Sequence, residues 1–450
     1  MFDGNRGFGL AAQRVPVTSA TGAALRLLHW VALVLEAACS VVRWPVKILG
    51  EAAGWRRPRT LLAFNGWVSE AGMTRFGCRV LSNHLLGSPR QSDSTWRNLL
   101  GTLRRWDTRE LPGVRVTAEL RVDGTGGVRS HTRVTDAEGY AWFDLPAADQ
   151  AAEPPPDAPR SAAATLRVEH RGHPLQAEAP LWPASPLQGL AAISDIDDTI
   201  LHTGITSLLT AAKLTFLRNA RTRAALPGAA RLYEAFAQTG GSETPRPFFY
   251  VSSSAWNLHD LLSDFMRLNG FPSGPLLLRD LGVDRFKLLK SSGHVQKLER
   301  ARLILRDFPS LRFVLLGDSG QADAHLYAEL AVAYPHRIAA VVVRCVSAAG
   351  GPAAPPSVLH ELERISGVGV PARLVTDSVE AAEFLHAHAL LNAADLGSIA
   401  AATEADRQRQ GPLAAAVRGA GSSNRLVPGR VVEAAGRLAD RLEQSPRTDR

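Results

Sequence analysis

Residues 191–200 read AAISDIDDTI: an apolar run that ends in Ser194 and is followed at once by Asp195, Asp197 and Asp198. Carboxylates this close repel and raise one another's pKa. A cation or a chemical task has to account for them. The apolar run is short and continuous rather than alternating. FFYVS (248–252), LLL (276–278), RFVLLG (312–317) and IAAVVVR (338–344) share that character, with helical stretches such as WNLHDLLSDFMRLNG and VQKLERARLILRDFP between them. Continuous runs separated by helices predict a parallel sheet buried on both faces, an α/β doubly wound domain over residues 188–395.

Ligands of such a sheet bind beyond the carboxyl ends of its strands. The residues expected there are Asp195 to Thr199, then Ser252-Ser253-Ser254, then the stretch from Gly317-Asp318 to Asp323. Each group alone has an ordinary reading as a helix cap, a loop or a turn. Together they are two carboxylate clusters and a hydroxyl at one sheet edge. Lysine adds an ammonium. Of 51 Lys and Arg residues only five are Lys, and Lys287, Lys290 and Lys297 fall in one window. A compact point charge there differs from the broad arginine fork used elsewhere. Phosphoryl transfer from a monoester asks for such a set: a nucleophile, a proton donor, donors for the equatorial oxygens, and a magnesium ion held by hard oxygen ligands. Asp198 reads as a capping or outward residue. Asp280 reads as half of an ion pair or a substrate contact, and His202 as a surface or packing residue.

Upstream the period changes. VRVTAELRV (114–122) alternates strictly, with Val114, Val116, Ala118, Leu120 and Val122 on one face. DGTGG, VRSHTRV, TDAEG and YAWFDL follow, and TLLAFNGWVS (60–69) with RFGCRVL (75–81) reads as a hairpin. This pattern predicts a β-sandwich domain over residues 58–187, with a Pro-rich loop at 151–161. Residues 1–57 read as an unstructured start and an apolar amphipathic helix. Within 22–50, Arg26, His29, Glu36, Ser40, Arg43 and Lys47 share one stripe, and Pro45 kinks or ends the helix. Its ionisable groups make a lone membrane span costly, so a membrane-surface helix over 22–49 and a packing helix stand side by side. No clean signal-peptide site follows it. Residues 396–450 are expected to be a mostly disordered tail, with one short helix near 430–443.

The 450 residues suggest about three domains. Net charge is +8, but the arginines are scattered with no aromatic-interleaved basic stripe, which disfavours nucleic acid. Cys39, Cys78 and Cys345 match no metal spacing and suit a cytoplasmic protein, peripheral to a membrane if the helix binds one.

Asp195-x-Asp197-x-Thr199, Ser252, a downstream Lys and Gly317-Asp318-xxxx-Asp323 resemble the four motifs of the haloacid dehalogenase superfamily. SDIDDTI, FFYVSSSAWNLHDLL, GFPSGPLLLRD and FVLLGDSGQADAHLY are similar to the catalytic domain of the actin-patch-associated phosphatidate phosphatases and their bacterial relatives. The resemblance is strong over 188–345 and weaker from about 58. It implies a Rossmannoid sheet with a small cap and magnesium-dependent hydrolysis of phosphatidate or another phosphomonoester. Asp195 would be nucleophile and magnesium ligand. Asp197 would be general acid and then base, its carbonyl also on the metal. Thr199 would position the loop, Ser252 would hold phosphoryl oxygens and Lys297 would neutralise charge. Asp318 would bind magnesium, with Asp323 as a further ligand. The chain departs from the family at Ala255, at Ala324-His325 and at Gln296, where a His is usual and His294 lies nearby. Lys290 is the alternative to Lys297. The cap would be the single helical stretch SLLTAAKLTFLRNARTRAAL (207–226), and its small size suits an open site.

Overall fold

In a computed structural model of the chain, the described residues are 58–82, 110–122, 127–146, 163–182, 189–196, 199–200, 225–239, 245–279, 293–320, 322–346 and 355–422. The expected helix at 22–50, most of the cap stretch and the helix near 430–443 lie outside them.

Seven strands form the first sheet: β1 (Thr60–Val68), β2 (Thr74–Leu81), β3 (Arg115–Val122), β4 (Gly127–Val134), β5 (Tyr140–Leu145), β6 (Ala163–His170) and β7 (His173–Trp182), in the order β4-β3-β6-β7-β1-β2-β5. Every pairing is antiparallel except the short β1–β7 contact at Gly66↔Leu181 and Trp67↔Trp182. The alternation read in β3 holds: Val116 and Ala118 are buried, while Thr117 and Glu119 face Thr132 and Arg167 on the other side. One core joins both halves of the sheet, with Phe76, Cys78 and Phe143 from β2 and β5 against Val116, Leu166 and Val168 from β3 and β6. The TDAEG turn forms because Asp136 Oδ1 accepts the backbone N–H groups of Glu138 and Tyr140. Gly139 then takes φ +79°, with no room for a Cβ beside the Val80 carbonyl.

The second sheet is wholly parallel. Its strands are β8 (Gly189–Ser194), β9 (Phe248–Ala255), β10 (Leu276–Arg279), β11 (Leu311–Asp318), β12 (Ile338–Arg344) and β13 (Ala372–Val375), ordered β10-β9-β8-β11-β12-β13. The continuous runs are strands because helices cover both faces. α1 (Ala229–Gln238), α2 (His259–Leu268), α6 (Ser378–Ala387) and α7 (Ala393–Ser422) serve one face. α3 (Gly293–Asp307), α4 (Asp323–Ala333) and α5 (Pro356–Gly367) serve the other. The chain builds outward from β8 to β10, returns beside β8 as β11, then builds the other way. That reversal opens a crevice beyond the carboxyl ends of β8 and β11.

Strands β6 and β7 lie where the sequence reading named no runs, and two further features differ from it. A sixth strand, β13, was not expected, being only ARLV with one buried residue. Of the tail expected over 396–450, the described part, 396–422, belongs to the helix α7, whose first half is anchored on the α/β domain. Ile399 and Thr403 are buried, Asp395 pairs with Arg231 at 3.0 Å, Asp406 accepts the Gly228 N–H at 2.9 Å, and Arg407 pairs with Asp377 at 2.6 Å. An alanine-rich segment has high helix propensity but few large apolar residues, so its periodicity is faint. Among the described residues no helix is long and apolar enough to cross a membrane.

Candidate active site

The strand ladder carries Asp195 one residue past β8, its N–H bonded to the Leu316 carbonyl of β11 at 2.9 Å. Two buried tyrosines brace that junction from opposite faces. Tyr327 on α4 donates its hydroxyl to the Leu316 carbonyl at 2.7 Å. Ser194 Oγ donates to the Asp195 carbonyl at 2.7 Å and lies 2.8 Å from the Tyr233 hydroxyl of α1. With the Ser194 proton used in this way, Tyr233 is the donor. Burial holds both phenols above their ordinary pKa, so they stay neutral donors.

Asp318 ends β11, across the crevice from Asp195. The Gly320 N–H donates to its Oδ1 at 2.6 Å, and its own N–H donates to Asp323 Oδ2 at 3.3 Å. Asp323 opens α4 and can sit beneath the strand end because residue 317 is glycine. A Cβ there would lie 2.6 Å from the Tyr327 ring and 2.7 Å from Asp323 Oδ2.

Lys297 enters from the first turns of α3. Its ammonium donates to Asp195 Oδ1 at 2.7 Å and also to Asp323 Oδ1. It is 4% exposed and Asp195 is 1% exposed. Burial alone would push the lysine towards neutrality. The fields of Asp195 and Asp323, with the two hydrogen bonds, outweigh burial and hold its pKa above the ordinary value. Thr199 Oγ1 donates to Asp195 Oδ2 at 3.4 Å. Ser252 is fully buried towards the end of β9, the strand beside β8, and its Oγ accepts the Ser254 N–H at 2.8 Å.

The site thus gathers Asp195, Thr199, Lys297, Asp318 and Asp323, with Ser252 on the neighbouring strand. Asp195, Asp318 and Asp323 are all buried and offer oxygens within 4.8 Å of one another. Among these described side chains three carboxylates face one ammonium, an excess of buried negative charge that a cation would relieve. An all-oxygen donor set suits magnesium, calcium or manganese. Both Asp323 oxygens accept hydrogen bonds, from Lys297 and from the Asp318 N–H, as both Asp195 oxygens do from Lys297 and Thr199. Asp197, Asp198, His202, Asp280, Lys287 and Lys290 lie outside the described residues, as does the side chain of His294. Sequence reasoning missed Tyr233 and Tyr327. The chain has only five tyrosines, so scarcity, the signal that singled out lysine, could have flagged them.

Residues 190–345 match the family described as "Phosphatidate phosphatase APP1, catalytic domain". The chain is 33% identical over 186 residues to "Phosphatidate phosphatase APP1" of Saccharomyces cerevisiae, covering 41% of this chain and 30% of the yeast protein. It is 25% identical over 165 residues to "Uncharacterized protein C29B5.04c" of Schizosaccharomyces pombe, covering 36% of this chain and 26% of that one. The chain therefore matches less than a third of the length of either relative. Among solved structures, a Parabacteroides merdae β-glucuronidase aligns with 64% of this chain and 33% of its own at 9% identity, but its TM-score of 0.23 is too low to carry an argument.

Proposed function

We propose that this chain, whose residues 190–345 match the APP1 catalytic-domain family, is a magnesium-dependent phosphatidate phosphatase that releases diacylglycerol and phosphate. The observation that carries the reading is Lys297 bridging Asp195 and Asp323 beside Asp318, at the point where the strand order reverses. A binding module needs no such buried excess of carboxylate.

In this reading an Asp195 oxygen attacks phosphorus as the bond from phosphorus to the ester oxygen breaks. Asp197, two residues on, gives its proton to the departing alkoxide. It then takes a proton from the water that cleaves the aspartyl-phosphate, which restores Asp195 and frees phosphate. Ser252 and Lys297 hold the phosphoryl oxygens as charge shifts onto them. Thr199 fixes Asp195, and the Tyr233 and Tyr327 braces hold its backbone. Asp195 and Asp318, with the Asp197 carbonyl, would hold magnesium, which when bound neutralises the phosphoryl group. Asp323 would aim the Lys297 ammonium. The parallel sheet is read as the haloacid dehalogenase core and the folded antiparallel sheet as a β-sandwich. The protein would work in the cytoplasm, with residues 22–49 meeting the membrane that carries the lipid.

A second reading keeps the chemistry and changes the substrate to another phosphomonoester. It is favoured by the match covering only 30% of the yeast protein's length. Phosphate release from mixed phosphatidate vesicles, measured against a panel of soluble monoesters, separates the two. Vesicle turnover that stops in EDTA and returns with magnesium is the expected result. Turnover of soluble esters alone selects the second reading, and full activity in excess chelator removes the metal.

A further inference from the structure

The antiparallel sheet has no part in the chemistry just described, yet its first hairpin reaches both catalytic elements of the other sheet. At the far end of α3, the Asp307 carboxylate is 6% exposed. It accepts the Trp67 indole N–H at 2.8 Å and two Arg75 guanidinium N–H groups at 2.7 and 3.3 Å. Arg75 also pairs with Asp144 of β5. Two residues past β1, in the turn before β2, the Glu70 N–H donates to the Asp307 carbonyl at 2.9 Å. The Glu70 carboxylate accepts the Ser310 N–H and hydroxyl at 2.9 and 2.8 Å. The C-terminus of α3 is thus gripped by hydrogen bonds, most of them charge-assisted, from one β-hairpin.

The same strand holds the other element. Phe64 stacks on Trp256 at 4.4 Å between centroids and lies 4.7 Å from the His259 ring, with Trp142 of β5 at 5.1 Å from Trp256. Trp256 begins the 3-10 turn that directly follows the Ser252 strand. Trp67 meets Phe249 of β9 edge-on at 6.3 Å, and Asn65 donates to the Gly274 carbonyl at 3.3 Å. Phe64 and Tyr140 pack into one core of the parallel sheet and Trp67 and Val68 into the other.

We propose that hairpin β1–β2 is a positioning element of the active site, fixing Lys297 through the Asp307 end of α3 and Ser252 through Trp256. A helix is stiff over this range. Lys297 lies ten residues before Asp307, about 15 Å along the axis, so the grip at one end sets where the ammonium stands at the other. Arg75, Trp67 and Asp307 touch no substrate. They act through Lys297, and displacement of a catalytic group by about 1 Å can cost about a hundredfold in rate.

This inference rests on the phosphatase reading for its kinetic arm only. Phosphate release and amide hydrogen exchange are measured on the full chain, on Asp307→Asn and on the milder Trp67→Phe, which serves if the first does not fold. Expected are a kcat lowered about tenfold or more with KM within about twofold, and faster exchange reaching residues 295–300. Exchange that quickens only at 303–310, with kcat unchanged, would overturn the proposal. Should the wild-type chain release phosphate from no monoester, the phosphatase reading falls alone. The exchange arm still decides the coupling.

Discussion

Helix α3 connects two buried carboxylate clusters that differ in one respect. At its C-terminus the buried Asp307 meets Arg75 and the Trp67 indole, one buried carboxylate to one guanidinium, while the second partner of Arg75, Asp144, is exposed. At its N-terminus Lys297 meets Asp195 and Asp323 with Asp318 beside them, three carboxylates to one ammonium among these described side chains. Both are buried and both are hydrogen-bonded. A balanced buried pair serves architecture, whereas an unbalanced one is costly unless something arrives to balance it. In the proposed function, excess charge rather than burial distinguishes the chemical site from its scaffold.

Removing the excess tests this most severely. Asp195→Asn should cut phosphate release by more than about a thousandfold while the melting temperature holds or rises, because one repelling carboxylate is gone. Release within about tenfold of wild type would end its assignment as nucleophile.

Removing the balancing cation comes next. Lys297→Met should lower phosphate release by about a hundredfold or more and stability by roughly 3–5 kcal/mol, since it strands buried carboxylates. Magnesium should raise the melting temperature of this variant more than that of wild type. Equal shifts would mean that the ion and the lysine do not share the same carboxylates.

The smallest effect belongs to the junction between the sheets. Burial lowers the His259 pKa to about 4, from an ordinary 6.5. The unfolded chain therefore binds more protons than the folded one between these values. Stability is full above about pH 6.5 and falls as pH drops towards 4, by up to about 3 kcal/mol. Thermal melts across that window should show the slope, and His259→Leu should lose it. A slope that persists in the variant assigns the acid sensitivity elsewhere.

Much of the site was legible before folding because its chemistry sits in short strand-end motifs. Asp195, Ser252, Asp318 and Asp323 follow apolar runs whose character already implies a parallel sheet, and Lys297 stands out by lysine scarcity. The braces were not legible. Tyr233 is distant in sequence from every motif, and nothing local shows that its hydroxyl meets Ser194. Helix α7 escaped because among its described side chains only Ile399 and Thr403 are buried, too few to imprint an apolar period.

The sequence by itself determined the strand and helix alternation, the two sheet types and the residues able to carry phosphoryl chemistry. These depend on local hydrophobic period and on which functional groups exist. Only the tertiary structure decided the strand order and the reversal that faces Asp195 with Asp318. It also decided that one lysine bridges Asp195 and Asp323, and that β1 is shared between the cores of both sheets. Those facts depend on contacts between residues up to 240 positions apart, and no local pattern encodes a partner at that range.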